Sequence, residues 1–198
     1  MHNVKKSIAI FLSWLIFLSL SGCIVQSLNP FYTEESLIDT PESILGKWKL
    51  VKSPFVGDDD VLPWRFETDE VITFDKNNNE AILTVRYFKI DENIYASFFP
   101  DEPDNKLNTY WVACIQPVHT CCKVEISKNQ LVFEPINLNY IIKLIEKGEK
   151  IPYFKPENDE DQNIIFTASS DQWFSLLKKY NNDQKLFSEE DKFLLKRE

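Results

Sequence analysis

The chain has 198 residues, with 22 Lys and Arg set against 31 Asp and Glu, a formal net charge of −9. That balance excludes a nucleic-acid backbone as partner, which demands a basic face. Four glycines and two histidines are too few for a phosphate-cradling loop or a histidine metal cluster.

Lys5 and Lys6 precede the apolar run 7–20 and then Leu20-Ser21-Gly22-Cys23. The run falls short of the roughly 20 residues a membrane-crossing helix needs, and it has the anatomy of a cleaved export signal. Cleavage before Cys23 removes two lysines and no acid, so the remainder is more acidic still. An anionic membrane surface would repel such a chain.

Residues 23–44 are expected to form a tether. Pro30 and Pro41 interrupt regular structure, and Thr33-Glu34-Glu35-Ser36 suits one helical turn with Thr33 as its cap. Phe31 and Tyr32 are too apolar for a free linker and are expected to pack on the domain or to face a partner.

From residue 45 onward β-periodicity takes over, as a single domain over 45–198. Strands are expected at 46–51, 70–74, 81–90, 94–99, 109–115, 120–127 and 131–134. The first carries Trp48, the polar cluster 75–79 makes the second and third a hairpin, and Gln116-Pro117 separates another pair. Leu138, Ile141, Ile142 and Ile145 have helical spacing, with Asn137 as cap and Gly148 as terminator. Short strands at 151–154 and 163–167 flank an acidic loop. A second helix starts at the capping-box pair Ser169 and Gln172 and carries Trp173, Phe174, Leu176, Leu177 and Tyr180 on its apolar face. A last strand is expected at 193–196. This succession predicts a mainly β fold, a closed antiparallel barrel of about eight strands with a C-terminal amphipathic helix.

Several groupings invite chemistry. The run 75–79 opens like a calcium loop, but Glu80 and Arg86 stand where Gly and Glu are required, so it reads as a turn. His119 is the one histidine left after processing, and a catalytic base would need a nucleophile and an orienting acid beside it. A carboxylate pair acting on glycan is the corresponding alternative. No residue is singled out as catalytic, and no cofactor is expected.

Cys114, Cys121 and Cys122 are the remaining thiols. Cys121 and Cys122 would face opposite sides of a strand, so a bridge would run from Cys114 to one of them. Buried free thiols are the other reading. Trp48, Trp64, Phe66, Phe88, Tyr95 and Trp111 either line a barrel cavity suited to a small apolar ligand or fill the core.

The segment Leu20-Ser21-Gly22-Cys23 resembles the lipobox of type II bacterial lipoprotein precursors. That resemblance implies removal of residues 1–22 and acylation of Cys23, such as with palmitate, which would anchor the chain to a membrane. Ile24 follows in place of the Asp that favours inner-membrane retention, which implies the outer membrane, facing the periplasm. Leu45-Gly46-Lys47-Trp48 resembles the Gly-x-Trp opening of lipocalin-like barrels. In those a basic residue near the chain end stacks on the Trp, a role that would fall here to Arg197. Ser27-Leu28-Asn29-Pro30-Phe31-Tyr32-Thr33, Pro117-Val118-His119-Thr120 and Thr167-Ala168-Ser169 look like a group of bacterial lipoproteins with no assigned activity. The expected role is non-enzymatic: binding of a small apolar ligand or, alternatively, docking to another envelope protein.

Overall fold

A computed structural model describes residues 24–54, 62–74, 80–100, 117–155 and 164–198. In chain order these form β1 (Gln26–Ser27), a 3-10 turn (Glu34–Ser36), β2 (Leu37–Ile38), β3 (Gly46–Lys52) and β4 (Leu62–Phe66). Then come β5 (Glu70–Phe74), β6 (Glu80–Ile90), β7 (Asn93–Pro100), β8 (Thr120–Ile126), β9 (Gln130–Pro135) and helix α1 (Leu138–Glu146). The chain ends with β10 (Tyr153–Phe154), β11 (Ile165–Phe166), helix α2 (Ser170–Tyr180) and β12 (Phe193–Arg197).

Strands β3 to β9 pair antiparallel with their sequence neighbours, β12 inserts between β9 and β3, and the ring closes as an eight-strand barrel. Strand β6 is long enough to hold β5 along its first half and β2 along its second. Apart from the ring, β11 lies between β1, to which it runs parallel, and β10.

Alternation along the walls separates two cores, as the two-residue period of a strand requires. Trp48, Leu50, Phe66, Val71, Val85, Tyr87, Ala96, Phe98, Cys122, Val124, Leu131, Phe133 and Leu195 form the inner one. Phe88, Ile90, Tyr95 and Cys121 point the other way and meet Val25, Phe31, Leu138, Ile141, Leu144, Phe166, Trp173 and Leu177. Strands β6 to β8 are thus apolar on both faces because α1 and α2 cover the outside.

Both helices have the expected ends. Asn137 caps α1 through the Tyr140 amide, 3.2 Å away. Its other end is a Schellman motif, with Glu149 N–H bonded to the Leu144 carbonyl and Gly148 N–H to that of Ile145. Gly148 takes φ 101° there, a conformation open to glycine. At α2 the Ser169 and Gln172 side chains each bond the other's backbone N–H. Asn181, just past α2, fastens the helix to the β6–β7 turn through Asn93, Asp91 and the Tyr95 hydroxyl.

Three expectations need correction. Residues 24–44 are not a tether: Val25 and Phe31 are buried, and the Trp173 indole donates to the Ser27 hydroxyl at 2.8 Å. The segment from Ile24 is therefore part of the folded domain, and Phe31 packs on it. Strand β8 was expected to pair with 109–115 but lies between β7 and β9, and 109–115 falls outside the described residues. Strand β4 is not among the expected strands, and it carries Pro63, a residue unsuited to a strand interior. It is accommodated because pairing to β5 begins only at Trp64.

The first and last barrel strands are tied by side chains as well as by pairing. Trp48 is fully buried and its indole donates to the Ile44 carbonyl at 2.6 Å. The Arg197 guanidinium lies 4.4 Å over the Trp48 ring and donates to the carbonyls of Leu45 and Ser43. Gly46 has φ 108°, and a Cβ there would stand 3.7 Å from the same guanidinium. Arg197→Ala should lower stability to urea by about 1–3 kcal/mol, through loss of the ring contact and two charge-assisted bonds. Arg197→Lys should recover less than half of it, since only guanidinium is planar and forked.

Candidate functional site

One end of the barrel is closed. The short turns at 67–69, 91–92 and 127–129 gather there, with Asp69 and Asp91 at φ 65° and 52°. Trp48 and Arg197 stand across that end. Beside them Ser43, Ile126, Ser127, Lys128, Asn129 and Arg197 border a shallow depression of about 610 Å³.

At the opposite end the inward-facing side chains are only half-buried: Leu62, Trp64, Leu83 and Phe193. This end is the candidate mouth of the barrel, and the segments 55–61, 75–79 and 101–116 fall outside the described residues. Trp64 lies 6.0 Å from Phe66 and 6.2 Å from Phe193, centroid to centroid. Below them Phe66 stacks on Phe133 at 5.8 Å, and Phe98 meets Phe133 edge-on at 5.4 Å. The described inner wall thus combines packed aromatics with half-buried apolar side chains, Leu62, Trp64, Leu83 and Phe193 at this end and Ile94 and Ile126 toward the other.

One polar group interrupts this interior. The Tyr87 hydroxyl is buried with no hydrogen-bond partner, although most buried polar atoms have one. Burial raises its pKa, with Asp69 adding a smaller push, so the phenol stays neutral and able to donate.

Of the six aromatics expected to line a cavity, Trp48, Trp64 and Phe66 belong to the inner core. Phe88 and Tyr95 do not. They face outward, stacked on each other at 5.2 Å beneath the helices. The parity of β6 requires this, because Val85 and Tyr87 take the inward positions. Trp111 lies outside the described residues. Leu62, Leu83, Phe98, Phe133 and Phe193 complete the inner wall instead, and counting alternate positions from Trp48 along each strand would have found them.

Cys121 and Cys122 are free thiols, both buried, on opposite faces of β8. No bridge joins either of them, and Cys114, like Cys23, lies outside the described residues. Burial raises both thiol pKa values. Both should resist alkylation in the native protein and react quantitatively once it is denatured, as mass spectrometry would show.

His119 sits at the start of β8. Its backbone forms a two-bond bridge with Ser27, at 2.7 and 2.9 Å, and its ring packs on Phe99 at 4.4 Å. Desolvation lowers its pKa below the ordinary 6.5. A depressed pKa means the neutral form is favoured by folding, so this contribution is present above pH 6.5 and is lost as pH falls through the lowered value. NMR titration should give a His119 midpoint below 6.5, and His119→Phe should lose less stability between pH 7 and pH 5 than the natural protein.

Outside the barrel, α2 and residues 149–151 border a groove of about 330 Å³. Its floor is Trp173 and Leu176, and Glu149, Lys150, Asp171 and Lys179 stand at its rim. Glu149 bonds Lys179 and the Tyr180 hydroxyl, which lowers its pKa. Among the described residues no group of His, Cys, Asp and Glu side chains is placed to hold a metal ion, and no helix is long and apolar enough to cross a membrane.

No family model, curated protein or solved structure matches this chain.

Proposed function

We propose that the protein is a lipid-anchored bacterial envelope lipoprotein that binds a small apolar ligand at the mouth of a lipocalin-like barrel. The observation that supports the ligand reading is the apolar inner wall, where Leu62, Trp64, Leu83 and Phe193 stand half-buried around one end of the barrel. A barrel used only as a scaffold gains by burying such side chains, at about 25 cal/mol per Å² of apolar surface. Leaving four of them partly open at one end suits an apolar guest. An eight-strand barrel is wide enough either to be filled by side chains or to hold one small molecule.

Anchoring rests on Leu20-Ser21-Gly22-Cys23 behind its apolar run. Two or three acyl chains on Cys23 would hold the domain essentially permanently, at about 0.8 kcal/mol per buried methylene. Ile24 favours the outer membrane, with the domain in the periplasm. The role is binding and not catalysis: the His119 ring rests on an aromatic neighbour, as a structural histidine does.

Native mass spectrometry of the chain from residue 24, expressed in the bacterial periplasm, should show a co-purified apolar molecule. Trp64→Ala should lower its occupancy by at least about tenfold, the equivalent of 1.4 kcal/mol. Tyr87→Phe should raise the stability of the protein to urea by about 1 kcal/mol, since it deletes a buried unpaired polar atom. A ligand-free protein that still retrieves an envelope protein would instead favour a docking module.

A further inference from the structure

The anchor and the fold meet with no spacer between them. Ile24 forms an antiparallel bridge with Asn137, and Val25 is almost completely buried. Residue 23 is one peptide bond away, a step of about 3.8 Å between Cα atoms. A chain acylated there cannot hang on a linker, so the surface around Ile24 must lie against the lipid headgroups.

Strand register identifies that surface. Gln26 pairs with Ile165, which pairs with Phe154, and Ser27 pairs with Phe166, which pairs with Tyr153. Strand β1 therefore points back toward residue 23 at the same end of the small sheet where β10 runs on from Phe154 to Lys155. The separation across the sheet is two strand spacings, about 10 Å. Tyr153 is 48% exposed and Phe154 59%, on the outer strand of the small sheet. An aromatic pair followed by an exposed lysine has the chemistry of a bilayer interface, where rings settle at headgroup depth and lysine stems snorkel.

We propose that Tyr153, Phe154 and Lys155 form a membrane-seating face, holding the domain directly on the bilayer in one orientation. This rests on acylation of Cys23. Strand β9 runs from the closed end to the mouth end and leads to Asn137, the residue that bridges Ile24. The seated domain therefore has its barrel mouth at the level of the membrane and its Trp48–Arg197 end farther away.

The test uses the full chain carrying Cys114→Ser, processed in bacteria and reconstituted in phosphatidylethanolamine–phosphatidylglycerol vesicles. An environment-sensitive fluorophore is placed at Lys155→Cys or, in a second protein, at Lys128→Cys in the closed-end turn. Flotation with the vesicles is checked first, because failure to float overturns the anchor itself. With flotation intact, blue-shifted emission at 155 and water-like emission at 128 are expected. Water-like emission at both positions overturns the seating face while leaving the anchor standing. Equal blue shifts at both overturn the single orientation. Inserting about ten Gly and Ser residues between Cys23 and Ile24 adds a reach of roughly 17 Å, and should return emission at 155 toward the water-like value. An unchanged blue shift would overturn the role of the spacerless link. Water-like emission at 155 that turns blue only on adding envelope extract would assign the face to a protein.

Discussion

The contact between Arg197 and Trp48 joins the beginning of the barrel to its end. Strands β3 and β12 are 141 residues apart when counted from Lys52 to Phe193, and their pairing converts an open sheet into a ring. Backbone bonds supply the seam, while the guanidinium lying on the indole and reaching the Leu45 and Ser43 carbonyls fixes its register. Gly46 leaves space and backbone freedom for that approach. Closure then determines the inside of every strand, and with it which aromatics face one another. The rest of the architecture follows from that choice of sides.

The outer surface of the barrel is also occupied. Phe88, Ile90, Tyr95 and Cys121 would be an exposed apolar stripe without the layer formed by β1, α1 and α2. Ser27 illustrates how closely that layer is joined. Its hydroxyl accepts from Trp173, and its main chain pairs with His119 on one side while β1 pairs with β11 on the other. Two apolar cores share the wall made by β6, β7 and β8, so a substitution on either face is felt by both. That arrangement also explains why adjacent Cys121 and Cys122 are both buried, one in each core.

Much of this was legible in the residues. The helix caps at Asn137 and Ser169 and the Gly148 stop are local chemistry, and each is found where the sequence places it; the stacking of Arg197 on Trp48 is found where the resemblance to lipocalin-like barrels implied it. The closed antiparallel barrel also follows from the succession of strands. What could not be read was the side each strand presents. In β6 the alternation of Thr84 and Arg86 with Val85 and Tyr87 gives way to two aromatics in succession, Tyr87 and Phe88, and in β7 Tyr95 is followed directly by Ala96, so the pattern alone did not say that Phe88 and Tyr95 face out. The segment from Ile24 read as a linker because its strand is two residues long and its partners lie more than 90 residues away. Strand β4 was not read because it follows closely on the acidic run 58–60 and contains Pro63, which the register with β5, beginning at Trp64, accommodates.

The insertion of α1 and α2 between β9 and β12 has a kinetic consequence. Seven wall strands are complete once Pro135 has been made, yet the eighth is the last element of the chain. Until it docks, β3 and β9 are unsatisfied borders able to recruit strands from other molecules. The long loop that must close before β12 can fill that gap slows the final step, as non-local pairing generally does. Loss of β12 would leave a crescent with two adhesive rims, so that strand guards this protein against self-association.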